Sequence, residues 1–211
     1  MGRYTGPACR LCRREGMKLF LKGARCSQAK CPIDQGHPFP GMHGGRAGRG
    51  RKKMSDYGMQ LREKQRLRRQ FGIQEEQFSR IFQEAYRRPG VTGETMLQLI
   101  ELRLDNVAYR LGWAPSRRAA RQLVLHGHVA VNGRACSIPS RTLKAGDVVT
   151  VRERPRSKDM ASKAAEAAPS QAPAWLASDV KNLRGEVLSV PTREQIAPIV
   201  NEQAIVELYS R

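Results

Sequence analysis

The chain has 211 residues and a formal net charge of +19, with 38 lysines and arginines against 19 acidic residues. A free monomer with this excess repels itself, so the composition indicates a polyanionic partner, of which nucleic acid is the leading class. No run approaches the roughly 18 apolar residues of a membrane span and no secretory signal begins the sequence, so we expect a soluble cytoplasmic protein without a membrane partner.

The first half of the sequence predicts a cysteine-rich segment followed by three helices. Residues 1–50 are rich in Cys, Gly and Pro and have no sustained hydrophobic period. Apolar residues recur at helical spacing over 55–72, 74–88 and 93–112, and each stretch stops at a Gly or a Pro-Gly pair. Ser55 is well placed to cap the first of these helices.

From residue 116 the pattern changes to a short helix and a hairpin. A helix is predicted over 116–127, with Ser116 as its N-cap and a glycine at its end. The dipeptide Asn132-Gly133 separates two short apolar runs and favours a type I′ hairpin, because both of its positions need a positive φ. A further strand is predicted over 148–151.

The last quarter of the chain has a weaker pattern. Residues 155–173 predict a loose helix or linker, and 186–190 and 204–209 are predicted as strands. The predicted fold class is α+β, a cysteine-rich knuckle and helical body with an inserted small helix-plus-β-hairpin domain. The predicted divisions are a knuckle and basic Gly-rich arm (1–50), the helical body (51–103), the small helix-plus-hairpin domain (104–154), and a linker with a C-terminal segment that returns to the body (155–211).

Four of the five cysteines are spaced as the ligands of a structural metal site. Two residues separate Cys9 from Cys12, four separate Cys26 from Cys31, and thirteen lie between the pairs. Two close pairs joined by a loop suit a tetrahedral thiolate site, which has no open position for a substrate. We expect one structural Zn²⁺ whose binding stabilises a segment with few apolar residues.

Other uses of these cysteines remain open. An iron–sulfur cluster could take the same four ligands, and four reduced thiols without a metal are the simplest alternative. Disulfides conflict with an intracellular location. His37 could replace one ligand, whereas Cys136 stands apart in a predicted strand and is expected to be a buried, unreactive thiol.

The basic residues are concentrated in two segments. Residues 46–69 contain ten cations against two acids, and their Gly-rich beginning suits contact with phosphates along an irregular RNA path. In the helix from Ser116, Arg117, Arg118 and Arg121 fall on one face, opposite an apolar face, and are expected to point outward. No acidic residue occurs from 106 through 146, which favours RNA contact over an ordinary solvated helix face.

The candidate RNA-binding residues are basic or polar side chains in these segments. They are Arg46, Arg49, Arg51, Lys52, Lys53, Arg62, Lys64, Arg66, Arg69, Arg117, Arg118, Arg121, Gln122, His126, Asn132 and Arg134.

No motif indicates catalysis, so no catalytic residue is assigned and the chain is not expected to be an enzyme. An RNA-modifying enzyme would need a catalytic domain for which no segment is left. A zinc-containing DNA-binding regulator and an interaction protein of incidental basicity remain as alternatives; the first should prefer duplex DNA to structured RNA.

Particular motifs resemble a known family. Residues 116–123 (SRRAARQL) and 127–133 (GHVAVNG) resemble the small RNA-binding domain named after ribosomal protein S-four. Further segments, spread over nearly the whole chain, resemble the bacterial ribosomal protein S-four family itself: 1–7 (MGRYTGP), 13–16 (RREG), 40–44 (PGMHG), 55–65 (SDYGMQLREKQ), 103–112 (RLDNVAYRLG) and 205–211 (IVELYSR).

The resemblance implies a structural constituent of the 30S small ribosomal subunit that binds 16S rRNA early in assembly, at a junction in the 5′ domain. It implies a place beside ribosomal protein S-five, near the channel by which mRNA enters, and a contribution to translational accuracy. Arg46, Arg49 and Arg51 occupy the loop that matches the family's mRNA-facing residues. Since some members bind zinc through four cysteines, the chain resembles that branch.

Overall fold

The computed structural model describes residues 4–41, 54–167, 172–196 and 200–210. The chain divides into two compact units, which we call the first unit, Met1–Phe82 with Pro198–Arg211, and the second unit, Gln83–Ala197. The fold is α+β, as the sequence predicts, because helices make up the first unit and a small antiparallel sheet lies within the second. None of the described helices is long and apolar enough to cross a membrane.

Two short helical elements organise the cysteine-rich segment. Helix α1 spans Ala8–Glu15 and a 3-10 turn spans Gly23–Ser27. Although no helix is predicted here, the face of α1 that carries Ala8 and Cys12 packs against Leu19 and Leu21, and these four residues form a small buried cluster. The segment therefore has a modest apolar core of its own.

The remaining helices of the first unit follow the predicted capping signals. Helix α2 spans Asp56–Phe71; the Ser55 Oγ accepts a hydrogen bond from the Gly58 N–H, and Gly72 ends the helix in the left-handed conformation. Helix α3 spans Glu75–Arg87. Both predicted helices are confirmed.

The predicted C-terminal strand over 204–209 is wrong. Residues Glu202–Tyr209 form a helix, here called α8, whose N-cap Asn201 accepts hydrogen bonds from the N–H groups of Gln203 and Ala204. Helix α8 packs against α2, and its Ile205 is fully buried. The Tyr209 ring stacks on Phe82 with 4.5 Å between ring centroids. A short run of β-branched and apolar residues fits either a strand or a helix, and the contact of this segment with α2 decides for the helix.

The helix predicted over 93–112 is two helices. Helix α4 spans Thr92–Glu101 and helix α5 spans Leu104–Arg110. Between them Arg103 is extended and forms an isolated β-bridge with Thr142, while the Leu143 N–H donates to the Leu102 carbonyl. These long-range backbone bonds replace the helical ones and so interrupt an otherwise helical pattern.

Within the part of the second unit that the structure describes, the sheet has five strands in the order β2-β1-β3-β5-β4, all antiparallel. The strands are β1 (Val129–Val131), β2 (Arg134–Ala135), β3 (Val148–Val151), β4 (Leu176–Asp179) and β5 (Arg184–Val187). Asn132 and Gly133 both have positive φ, which confirms the type I′ turn between β1 and β2. Strand β4 is not predicted by the sequence pattern, and β5 begins two residues before the predicted strand at 186.

Two helices cover this sheet. Helix α6 spans Arg117–Leu125 and is capped by the Ser116 Oγ, which accepts from the Ala119 N–H, as predicted. Helix α7 spans Pro155–Glu166 and occupies most of the predicted loose helix or linker. The core of this unit joins residues of α5, α6 and the strands with Ala161 of α7 and the two tryptophans, Trp113 and Trp175.

Candidate nucleic-acid interface and cysteine cluster

Two arginines on the basic face of α6 are bound by polar residues of α5. Arg117 donates from Nε to the Asn106 Oδ1 at 2.9 Å, and its guanidinium lies 4.7 Å from the centroid of the Tyr109 ring. Arg121 donates from Nη1 to the Asp105 Oδ2 at 3.1 Å. The prediction that three guanidiniums point outward is therefore wrong for Arg117 and Arg121, which are only partly exposed and bound on their inner side. Arg118 is also partly exposed, and Gln122 is exposed.

Two buried acids hold this arrangement together. Asp105 also accepts a bidentate pair of hydrogen bonds from Arg103, at 3.1 and 2.9 Å. Glu101 accepts a bidentate pair from Arg110, at 3.1 and 2.7 Å, and a bond from the Asn106 side-chain amide at 2.6 Å. The side chains of Glu101, Arg103, Asp105 and Asn106 are all buried. We call these seven polar side chains the α5 hub: Glu101, Arg103, Asp105, Asn106, Arg110, Arg117 and Arg121.

The charges of the hub perturb one another. Burial alone would raise the pKa of Glu101, but the Arg110 guanidinium and its hydrogen bonds outweigh burial and hold the pKa below its ordinary value. Burial lowers the pKa of Arg117 to about 10, partly offset by the negative charge of Glu101. Both groups stay ionised at neutral pH.

The acids of this hub are not among the residues predicted from the sequence. The prediction of RNA contact depends on the absence of acidic residues from 106 through 146, and Glu101 and Asp105 lie just before that stretch. Their signal in the sequence is that polar residues interrupt an apolar helical pattern, where each needs a partner.

The hairpin candidates divide into structural and exposed side chains. Asn132 donates from its amide to Asp147 at 2.8 Å and accepts from the Val148 N–H at 2.8 Å, so its side chain ties the hairpin to β3. Arg134 and His126 are exposed. The ring centroids of His126 and His128 are 6.1 Å apart, and His128 Nδ1 lies 2.8 Å from the Ser157 Oγ.

The candidate residues on α2 are partly exposed and paired with acids of the first unit. Arg62 and Arg69 donate to Glu15, and the Arg66 Nε lies 3.7 Å from the same carboxylate, whose side chain is 0% exposed. Lys64 lies 2.5 Å from Glu75. The predicted contacts Arg46, Arg49, Arg51, Lys52 and Lys53 lie outside the described residues.

All four predicted metal ligands line one small cavity in the first unit. Helix α1 supplies Cys9 and Cys12, the 3-10 turn supplies Cys26, and the following turn supplies Cys31. Burial raises the pKa of the Cys12 thiol, which also has the other three thiols as electrostatic neighbours. Among the described residues, no three His, Cys, Asp or Glu side chains are placed as a group that could hold a metal ion.

Comparisons with known proteins agree along the entire chain. A family model described as "Ribosomal protein S4/S9 N-terminal domain" matches residues 3–101, and the S4 domain model matches residues 102–149. Proteins named small ribosomal subunit protein uS4 are 55% identical in Pelotomaculum thermopropionicum and 52% identical in Acidithiobacillus ferrooxidans, and one named uS4A in Symbiobacterium thermophilum is 53% identical. Each match covers 100% of both chains.

These matches confirm the resemblance drawn from the sequence motifs. They also confirm that the chain is not an enzyme, because the matched models and relatives are those of ribosomal proteins. The chain belongs to the uS4 family of small ribosomal subunit proteins.

Proposed function

We propose that the chain is a structural constituent of the small ribosomal subunit in the cytoplasm and binds 16S rRNA directly, at a junction in the 5′ domain, early in assembly. The observation that carries this proposal is the match over the full length of both chains to relatives named uS4. Ribosomal protein S-five and incoming mRNA are the further partners that we propose, together with a contribution to translational accuracy.

The charge distribution supports phosphate recognition rather than base readout. Three arginines of α2 lie around Glu15. In the second unit, Arg110 is held by Glu101, Arg117 by Asn106 and Arg121 by Asp105. Guanidiniums fixed in this way suit bidentate contact with phosphate oxygens. Aromatic residues are only 6% of the chain, too few for a surface built on base stacking.

Binding to a small-subunit rRNA transcript at several salt concentrations tests this proposal. We expect the logarithm of the affinity to fall steeply with the logarithm of salt, by about 0.7–0.9 per phosphate contacted. Arg134→Ala removes an exposed arginine of the hairpin and should reduce that slope by about 1. The matched control is Lys163→Ala, a 73% exposed cation on α7 that should leave the slope unchanged.

Two outcomes would contradict the proposal. A flat salt response would remove phosphate contact as the mechanism. Preference for duplex DNA over the transcript would favour the DNA-binding regulator. Sucrose-gradient fractionation of cell lysate provides an independent test, since a constituent of the subunit must sediment with it in stoichiometric amount.

We also propose that Cys9, Cys12, Cys26 and Cys31 bind one structural Zn²⁺. The donor set fits this ion, because four thiols line one cavity. Cys12 is buried in the small apolar cluster, and Cys26 is buried in the 3-10 turn. The ion would tie α1 to the loop that follows it and stabilise the segment. Nearby cations, including Lys22 and Arg25, offset the negative charge of four thiolates.

Metal analysis of the purified, reduced protein tests this site. We expect one zinc per chain, lost in Cys26→Ser and retained in Cys136→Ser, the matched control for a buried thiol in the second unit. Iron with visible absorbance would identify a cluster instead. Absence of any stoichiometric metal would refute the metal site.

A further inference from the structure

The α5 hub contains more positive than negative charge. Four guanidiniums, of Arg103, Arg110, Arg117 and Arg121, surround only two carboxylates, Glu101 and Asp105. The side chains of the two acids are 3% and 7% exposed, whereas those of Arg110 and Arg121 are 30% and 27% exposed. The two carboxylates are therefore buried, whereas the side chains of Arg110 and Arg121 partly reach the protein surface.

Stability alone gives a weak reason for such a cluster. Burying carboxylates is costly, and well-packed apolar residues often stabilise a core as well as a buried ion pair does. Removing one member of a buried network, in contrast, leaves an unpaired charge. The buried charges therefore contribute little net stability, and their main structural effect is to fix the orientation of partly exposed arginines.

Fixed orientation is useful at a phosphate-binding surface. A mobile arginine loses rotamer freedom when it grips a phosphate, and a side chain already held in place loses less. Each guanidinium has five N–H donors. The contact with Asp105 uses Nη1 of Arg121, and the contact with Glu101 uses Nε and Nη2 of Arg110, so the acids engage only part of each fork.

We infer that Glu101 and Asp105 are positioning residues for RNA recognition, which hold Arg110, Arg117 and Arg121 as a preformed array for phosphates. Asn106 completes the array by linking Arg117 to Glu101 through its side-chain amide. This inference rests on the proposed RNA binding and assigns a role to two acids that the RNA itself would repel.

The inference predicts the sign of an effect. By simple electrostatics, neutralising an acid near bound RNA removes repulsion and strengthens binding. If the acid positions arginines, the same substitution releases them and weakens binding. Asp105→Asn and Glu101→Gln separate these two outcomes, because each removes one negative charge with little change in volume.

The experiment measures the Kd of the full chain for a small-subunit rRNA transcript by filter binding at fixed salt. We expect Asp105→Asn and Glu101→Gln to bind about tenfold more weakly than the wild type. Glu153→Gln is the matched control: it removes the same charge from a side chain of the same unit that is 90% exposed, and should bind equally or slightly more tightly. Fluorescence of the buried Trp113 and Trp175 reports that the second unit of each variant is folded at the assay temperature.

Folded acid variants that bind as tightly as the wild type, or more tightly, would overturn the inference. If neither variant folds, Arg121→Lys decides, since it keeps the charge and loses the planar fork. We expect it to bind more weakly, and unchanged affinity would overturn the inference. A wild-type chain that does not bind the transcript would refute the proposed function instead.

Discussion

Glu15 offers a sharp test of how the first unit is held together. Its side chain is 0% exposed, and its carboxylate accepts hydrogen bonds from Arg62 and Arg69 of α2, with Arg66 nearby. Because Glu15 is the last residue of α1, this one carboxylate joins the cysteine-rich segment to α2. The substitution Glu15→Gln keeps the volume but leaves three guanidiniums around a neutral amide.

The structure gives the magnitude of the expected loss. Removing one partner from a buried ion pair costs about 3–5 kcal/mol. The three arginine side chains are 21–27% exposed, so water can partly solvate them after the change. We therefore expect Glu15→Gln to lower the free energy of unfolding of this unit by about 2–3 kcal/mol.

Hydrogen exchange of the α2 backbone amides measures the loss in this unit directly, at equal metal content in all samples. The matched control is Glu76→Gln, which breaks an exposed pair with Arg80 on α3 and should cost roughly 0.3–0.5 kcal/mol. A loss for Glu15→Gln below about 1 kcal/mol, or equal to that of the control, would mean that the buried carboxylate does not hold α1 to α2.

Three further predictions concern packing and pH. Tyr209→Phe removes a 3.0 Å hydrogen bond to Glu75 but keeps the stacking on Phe82, so we expect it to lower the free energy of unfolding by about 1 kcal/mol, against roughly 3 kcal/mol for Tyr209→Ala. Urea denaturation measures both values, and equal losses would contradict the packing of α8. In Gly185→Ala the added Cβ would clash with the Leu111 side chain in the core and lower the free energy of unfolding by about 1–3 kcal/mol. A Leu111→Ala background should relieve the clash, so strictly additive effects of the two substitutions on stability would argue against it. The pKa of Glu101 is lower in the folded state than in the unfolded state, where it is near 4.3. The ionised carboxylate therefore stabilises the second unit fully above the unfolded pKa, and this stabilisation is lost as pH falls through the folded pKa. We expect the urea midpoint, followed by tryptophan fluorescence, to decline less on acidification in Glu101→Gln than in the wild type.

Local signals account for the parts of the fold that the sequence predicts well. Ser55 and Ser116 cap their helices with their own hydroxyls, and Asn132-Gly133 adopts the two positive φ values of its turn. These features depend on neighbouring residues, so a short window of sequence is sufficient. The grouping of the four cysteines is similarly local, since the spacing within each pair brings its thiols close together.

The parts that the sequence predicts poorly depend on distant contacts. The interruption between α4 and α5 follows from the pairing of Arg103 with Thr142, which nothing near Arg103 indicates. Strand β4 has the polar sequence Leu-Ala-Ser-Asp and is formed by its register with β5, in which Leu176 faces Val187. Helix α8 depends in the same way on its packing against α2, more than a hundred residues earlier in the chain.

The same distinction applies to the basic residues. Helical spacing puts Arg117, Arg118 and Arg121 on one face of α6, but spacing cannot reveal that Asp105 and Asn106, on another helix, bind two of them. On this basis, replacing all three by Ala would change stability as well as RNA affinity, because Asp105 and Asn106 would lose partners within the core. A loss of affinity in that triple variant would therefore leave the two effects mixed. Substitution of the exposed Arg134 is a better probe, because it changes the charge without breaking the hub. Substitutions of Asp105 and Glu101 are also better probes, because a positioning role predicts weaker RNA binding where simple electrostatics predicts stronger binding.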